Sequence, residues 1–128
     1  MIQLAHIALY VQDLEGMKDF YVQHFDASAS ARYHNPKTGL QTYFLSFSSG
    51  VRLELMTRPG LNPRPQDAPA LGYNHIAFAL GSRERVDALA QELAQAGCRI
   101  LNGPRVTGDG YYEVSLADPE GTLLELVA

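Results

Sequence analysis

The chain has 128 residues, 46% of them hydrophobic, with a formal net charge of −4 and a pI near 5.4. That is one ordinary domain's length, with apolar material for a core that needs no disulfide, and its one cysteine, Cys98, has no internal partner. No basic run marks a nucleic-acid surface, and no apolar run reaches the roughly 18 residues of a membrane span. The opening "MIQLAHIALYV" has neither a basic n-region nor a small-residue cleavage site, so a cytoplasmic protein is expected.

In chain order, "IQLAHIALYV" alternates and is rich in Ile, Leu and Val, so it predicts a strand. Asp13 is placed as an N-cap for a helix over "LEGMKDFYVQHF". Met17, Phe20, Tyr21, His24 and Phe25 recur there at helical spacing, while Gly16 weakens the helix. "ASASARYH", "LQTYFLSF" and "VRLELMT" predict three strands, the last two joined by a turn at "SSG". Four of the seven prolines then fall between Pro59 and Pro69, which excludes a helix interior or central strand and predicts a linker over 59–71.

The second half repeats the order. "YNHIAFAL" predicts a strand, and Ser82 caps a helix with Val86, Leu89, Ala90 and Leu93 on one face. Gly97 stands where a helix would end in a left-handed residue. "CRILNG", "YYEVSLA" and "TLLELVA" follow as strands, with "DPEG" as the last turn. The plan is βαβββ twice, an α+β fold of two paired modules, 1–58 and 72–128, in a single domain. His6 and His75 lie 69 residues apart, and Glu54 and Glu125 lie 71 apart.

Strand residues alternate faces. Ile7, Leu9 and Val11 oppose His6, Ala8 and Tyr10; Ile76, Phe78 and Leu80 oppose His75, Ala77 and Ala79. The aliphatic face is expected to pack on the helix, and the histidine face carries small alanines that leave room above the sheet. Leu53 and Leu55 oppose Arg52, Glu54 and Met56, while Leu124 and Leu126 oppose Leu123, Glu125 and Val127. If the first and last strands of each module are neighbours, each half presents one histidine and one glutamate on its open face.

A single histidine on a strand is commonly a satisfied core residue, and a single glutamate in "LEL" an edge-strand charge. Four such residues paired by a repeat need a shared cause. Burying carboxylates without a partner costs several kcal/mol, and in the glutamates' repeated neighbourhoods the sequence offers only Arg52 as a cation. A divalent cation would compensate both charges, and two nitrogens with two oxygens suit Ni, Co, Zn, Mn or Fe(II).

"HIALYVQDLEGMKDFYVQHF", "RLELM", "GYNHIAFAL" and above all "LADPEGTLLELV" resemble the vicinal oxygen chelate superfamily over the whole chain. That family holds glyoxalase I, extradiol dioxygenases, fosfomycin-resistance transferases and methylmalonyl-CoA epimerase. The resemblance implies βαβββ modules curling mixed sheets around a cleft, with one divalent metal on His6, Glu54, His75 and Glu125. A His, Glu, His, Glu set is similar to that of bacterial glyoxalase I. It implies nickel or cobalt, Glu125 as the base, Glu54 as the second carboxylate, and an enediolate formed from a small vicinal-oxygen substrate such as a hemithioacetal. It also implies a homodimer, one chain supplying His6 and Glu54 and its partner supplying the other two ligands.

Two features depart from glyoxalase I. "IALYV" lacks the arginine that grips glutathione, and "MTRPGLN" offers only Arg58 or Asn62 where an asparagine is usual. The thiol of the substrate adduct therefore stays open between glutathione and another. Other reactions on the same metal, namely ring cleavage, epimerisation or antibiotic modification, remain alternatives, as does a binding protein without turnover.

Among further candidates, His24 is expected on a helix face and His34 in a turn. Tyr43, Tyr111 and Tyr112 are weighed between cleft lining and sheet packing, with packing favoured. Arg52 would bind an anion or pair with a carboxylate. Arg105 and "VTGDG" are read as a surface turn, with closure over the cleft as the alternative. Cys98 is expected to be a small buried hydrophobe.

Overall fold

The structure is a computed structural model that describes residues 1–65 and 69–128. Of the Pro-rich stretch 59–71, residues 66–68 lie outside the described residues, and the rest carries neither helix nor strand. The chain forms two compact units, Met1–Arg64 and Pro65–Ala128, and among the described residues each holds one mixed sheet and one helix. No helix among the described residues is long and apolar enough to cross a membrane.

In the first unit, strand β1 (His6–Tyr10) leads to helix α1 (Leu14–His24). Two short strands follow, β2 (Ser28–Ala29) and β3 (Tyr33–His34), then β4 (Gln41–Ser46) and β5 (Arg52–Thr57). The sheet order is β1-β5-β4-β2, with β3 also on β4, so the first and last long strands are parallel neighbours. The Asp13 carboxylate accepts the Gly16 N–H at 3.0 Å and caps α1. A Cβ on Gly16 would lie 2.2 Å from that carboxylate, so the glycine that lowers helix propensity also makes room for the cap. Leu14, Met17, Phe20 and Tyr21 are buried on α1, which packs on β4 and β5 over Leu45, Leu53 and Leu55.

One expectation fails here. Residues 27–34 form two two-residue strands rather than a single strand. At the break the Ser30 hydroxyl accepts the Phe44 N–H at 2.9 Å, so a side chain takes the place of a backbone carbonyl in the ladder.

The second unit repeats the plan as β6 (Ile76–Ala79), α2 (Arg83–Gln95), β7 (Ile100–Val106), β8 (Tyr112–Ala117) and β9 (Leu123–Val127). The order is β6-β9-β8-β7, again with the first and last strands parallel. The Ser82 hydroxyl accepts the Arg85 N–H. At the other end of α2, Gly97 at φ +96 lets the Cys98 N–H reach Leu93 O and its own N–H reach Ala94 O, a Schellman closure. Asp118 is buried and opens the last turn, its carboxylate accepting the Glu120 and Thr122 N–H groups.

Strand β7 runs past Gly103, where the sequence predicted its end, to Val106. Gly103 and Pro104 lie in a doubly irregular stretch of the β7–β8 ladder, with register shifts between Ile100 and Asn102 and between Asn102 and Arg105. Gly103 has φ +93, and a Cβ there would stand 2.6 Å from the Glu113 carbonyl oxygen. Gly103→Ala is therefore expected to cost about 1–3 kcal/mol. Urea unfolding would measure it, and an unchanged midpoint would contradict the packing described.

Candidate functional site

The repeat places the same constellation on the open face of each sheet. In the first unit Ala8 is the parallel partner of Glu54 and His6 that of Arg52. His6 Nε2 stands 3.7 Å from Glu54 Oε1. In the second unit Ala77 is the parallel partner of Glu125, and His75 Nε2 stands 3.1 Å from Glu125 Oε1. Each glutamate thus has as its parallel partner an alanine two residues beyond its histidine. The expected face assignment holds, since Leu53 and Leu55, like Leu124 and Leu126, are buried on the opposite side.

Two ligands about 2.1 Å from one ion lie about 3.0–3.4 Å apart at right-angled or tetrahedral positions. The His75–Glu125 separation falls within that range and the His6–Glu54 separation lies about 0.3 Å above it, so the second pair has the spacing of two ligands of one ion and the first has the same donor chemistry at a slightly longer distance. Among the described residues no three or more His, Cys, Asp or Glu side chains converge as a metal-binding group. The donors stand as two pairs, one in each unit.

The second pair has a further feature. His75 Nδ1 lies 2.8 Å from Asn74 Oδ1. One ring nitrogen of His75 thus meets the Asn74 side chain and the other meets the Glu125 carboxylate, which fixes the orientation of the imidazole. Burial pushes the Glu125 carboxyl above its ordinary range; His75 pulls it back, neighbouring Glu113 raises it through charge and a hydrogen bond, and Arg105 lowers it.

Beside Glu125 the second unit forms an open concavity of about 320 Å³. Ala77, Glu113, Thr107, Asp109 and Tyr111 line it together with Glu125. The "VTGDG" segment expected as a plain surface turn therefore borders the site. Its loop is held by Thr107, whose hydroxyl donates to Asp109 and accepts the Tyr111 N–H.

Glu113, Arg105, Asn74 and Phe44 were not singled out with the histidines and glutamates. Glu113 is buried on the open face, and Arg105 Nη2 donates to its Oε1 at 3.0 Å. The expectation that Arg52 is the only cation near the two glutamates is thus corrected: the irregular register of β7 carries Arg105 opposite Glu113. Arg52 lies with its guanidinium 4.2 Å over the Phe44 ring, and that ring meets His6 edge-on at 5.3 Å. Asn74 had a sequence signal, its place directly before the second histidine; the Arg105–Glu113 pairing had none.

The remaining candidates separate by face. Tyr43 and Tyr112 lie on the helix side, donating to Glu15 and Asp87, while exposed Tyr111 borders the concavity. His24 packs its ring near Phe20 on α1, and His34 ends β3 opposite Gln41 rather than lying in a turn. Cys98 is half-buried, and burial, with Asp118 adding to it, pushes its thiol up. Iodoacetamide is accordingly expected to label Cys98 several-fold more slowly in the folded protein than in urea at pH 7.5. Equal rates by mass spectrometry would contradict this.

The comparisons with known proteins agree with this architecture. The chain is 31% identical over 126 residues to the uncharacterised protein YqjT of Bacillus subtilis, covering 96% of each. It is 26% identical to a glyoxalase family protein from Enterococcus faecalis, with a TM-score of 0.81 over 98% of this chain and 97% of that one. The fosfomycin resistance protein FosX of Listeria monocytogenes is 25% identical with a TM-score of 0.78, over 100% of this chain and 94% of that one, and it has also been solved in complex with Mn(II). Residues 3–126 match the model of one family, and the chain belongs to the Glyoxalase/Bleomycin resistance protein/Dioxygenase superfamily.

Proposed function

We propose that this protein is a metal-dependent lyase or isomerase of the glyoxalase I type, with His6, Glu54, His75 and Glu125 as ligands of one divalent ion per site. The reading is carried by one observation: two His–Glu pairs at 3.7 and 3.1 Å, in matching registers on the open faces of two repeated sheets. Nickel, cobalt and zinc suit two imidazoles and two carboxylates, with manganese and iron as further candidates. The presence of Mn(II) in FosX supports a divalent ion in this family's site.

When bound, the ion would supply Lewis acidity toward two adjacent substrate oxygens. The chain's residues do the rest. Ala8 and Ala77 leave space for a small substrate against the two carboxylates. Glu125 takes a proton from the hemithioacetal carbon and returns it to the neighbouring carbonyl carbon, while the hydroxyl proton passes from the first oxygen to the second, so the product is an α-hydroxy thioester and no atom is lost. Glu54 remains the second carboxylate. The concavity beside Glu125 receives the rest of the substrate, a glutathione or other thiol adduct. The two modules, 1–58 and 72–128, act as one domain across the linker, and two chains pair so that each site draws its ligands from both.

The test is to strip the protein, reload it with nickel, cobalt or zinc, and follow the methylglyoxal–glutathione hemithioacetal. Product from a loaded form and none from the apo form is expected. One ion per site without product would leave the ligand set standing and turn the search to other thiol adducts. Failure of the folded protein to bind any of the three metals would overturn the reading.

A further inference from the structure

The two glutamates are equivalent in the repeat but not in their surroundings. Phe44 is the antiparallel partner of Glu54, and Ser115 is that of Glu125. Two residues earlier on the same strands stand Thr42 and Glu113, both buried. Only the second unit therefore carries an additional carboxylate beside its ligand candidate. The Glu113 side chain is 8% exposed, a position a carboxylate occupies only with a compensating charge, and Arg105 provides it.

Arg105 has a second possible partner. It bears electrostatically on Glu125, which lines the same concavity as Glu113. Guanidinium–carboxylate pairs are strong and geometrically specific. Glu113 and Glu125 line the same concavity, so an arginine released from Glu113 would compete with a metal ion for Glu125. Glu113 is the nearer, more buried acceptor and engages the guanidinium first. The first unit shows the same outcome by another route: its open-face arginine, Arg52, lies over Phe44 rather than on Glu54.

We propose that Glu113 is a positioning residue that holds the Arg105 guanidinium off Glu125 and so keeps that carboxylate available to a divalent cation. The proposal rests on the reading of Glu125 as a ligand. It explains why the β7–β8 ladder carries two register shifts ahead of Arg105, since they bring Arg105 opposite Glu113.

A double-mutant cycle on the intact protein tests it, with Co(II) alone as the probe, followed by calorimetry and by the ion's visible absorption. Glu113→Gln is expected to weaken Co(II) binding by about 10–100-fold, the usual effect of losing an outer-shell partner. Arg105→Met alone is expected to melt lower than the wild type, because buried Glu113 loses its counter-charge, while Co(II) binding by the folded protein stays within about threefold. The double variant Glu113→Gln with Arg105→Met is expected to recover to within about threefold, with the wild-type spectrum restored. A merely structural role for Glu113 would not be rescued by removing the arginine. Should Glu113→Gln fold poorly, Glu113→Thr, which copies the residue of the first unit, takes its place in the cycle. Wild-type affinity in the Glu113 variant, or a double variant as weak as the single one, would overturn the proposal and leave the ligand reading intact. A folded wild type that binds no Co(II) would overturn both.

Discussion

For the proposed reaction, Glu125→Gln is expected to lower turnover by the metal-loaded protein by about 10³-fold, within the range for loss of a positioned acid–base group. The substitution keeps the side chain's size, so the parallel pairing with Ala77 and the packing of the opposite face stay as they are. It removes the only group in the proposed reaction that both takes and returns the proton. Stability is expected to move the other way, if at all. Burial raises the Glu125 carboxyl in the folded apo protein, so the wild type loses stability as pH rises from the carboxyl's unfolded pKa through its raised folded one. Glutamine carries no charge to desolvate, and the apo variant should melt no lower than the wild type. The measurements are kcat for the loaded protein, metal content, and apo melting at pH 7. Full activity with bound metal would remove Glu125 from its role, and Glu54→Gln in parallel would show which carboxylate carries the proton.

One residue further on, the expected effect is of the opposite kind. Leu126 is fully buried, with Phe78 as its parallel partner and Val114 as its antiparallel one. The sheet packs α2 through β8 and β9, so this position faces the helix. Leu126→Ala removes most of a side chain from a closed apolar layer and is expected to destabilise the protein by about 2–5 kcal/mol, the transfer loss plus the cavity left behind. At about 4 °C per kcal/mol for a chain of this length, the melting temperature should fall by about 8–20 °C. Metal affinity measured well below the transition should stay near wild type, because the alternation of β9 puts Glu125 on the other face. A drop of less than about 3 °C would mean that Leu126 is not in the core.

Much of this was legible in the residues. The period-two alternation around His6 and His75 identified strands and faces because one face must be apolar wherever a helix covers it. Asp13, Ser82 and Gly97 marked helix ends because their chemistry satisfies backbone groups locally. The repeat paired His6 with Glu54 and His75 with Glu125 once first and last strands were taken as neighbours, and the sheet orders bear that neighbour relation out. What misled the sequence reading was chemistry between distant residues. The Ser30 hydroxyl interrupts a strand because Phe44 offers it an N–H from across the sheet. Arg105 looked like a loop residue because nothing near it in sequence announces Glu113 as its partner.

The sequence alone determined the repeated order of elements and the face each strand residue takes, because both follow from short periods and local capping. Tertiary structure alone decided the cross-strand register: which alanine pairs with which glutamate, how far apart each imidazole and carboxylate stand, and which cation reaches the second carboxylate. Register is set by pairing between segments tens of residues apart. A shift of one residue there changes every neighbour without changing any local pattern.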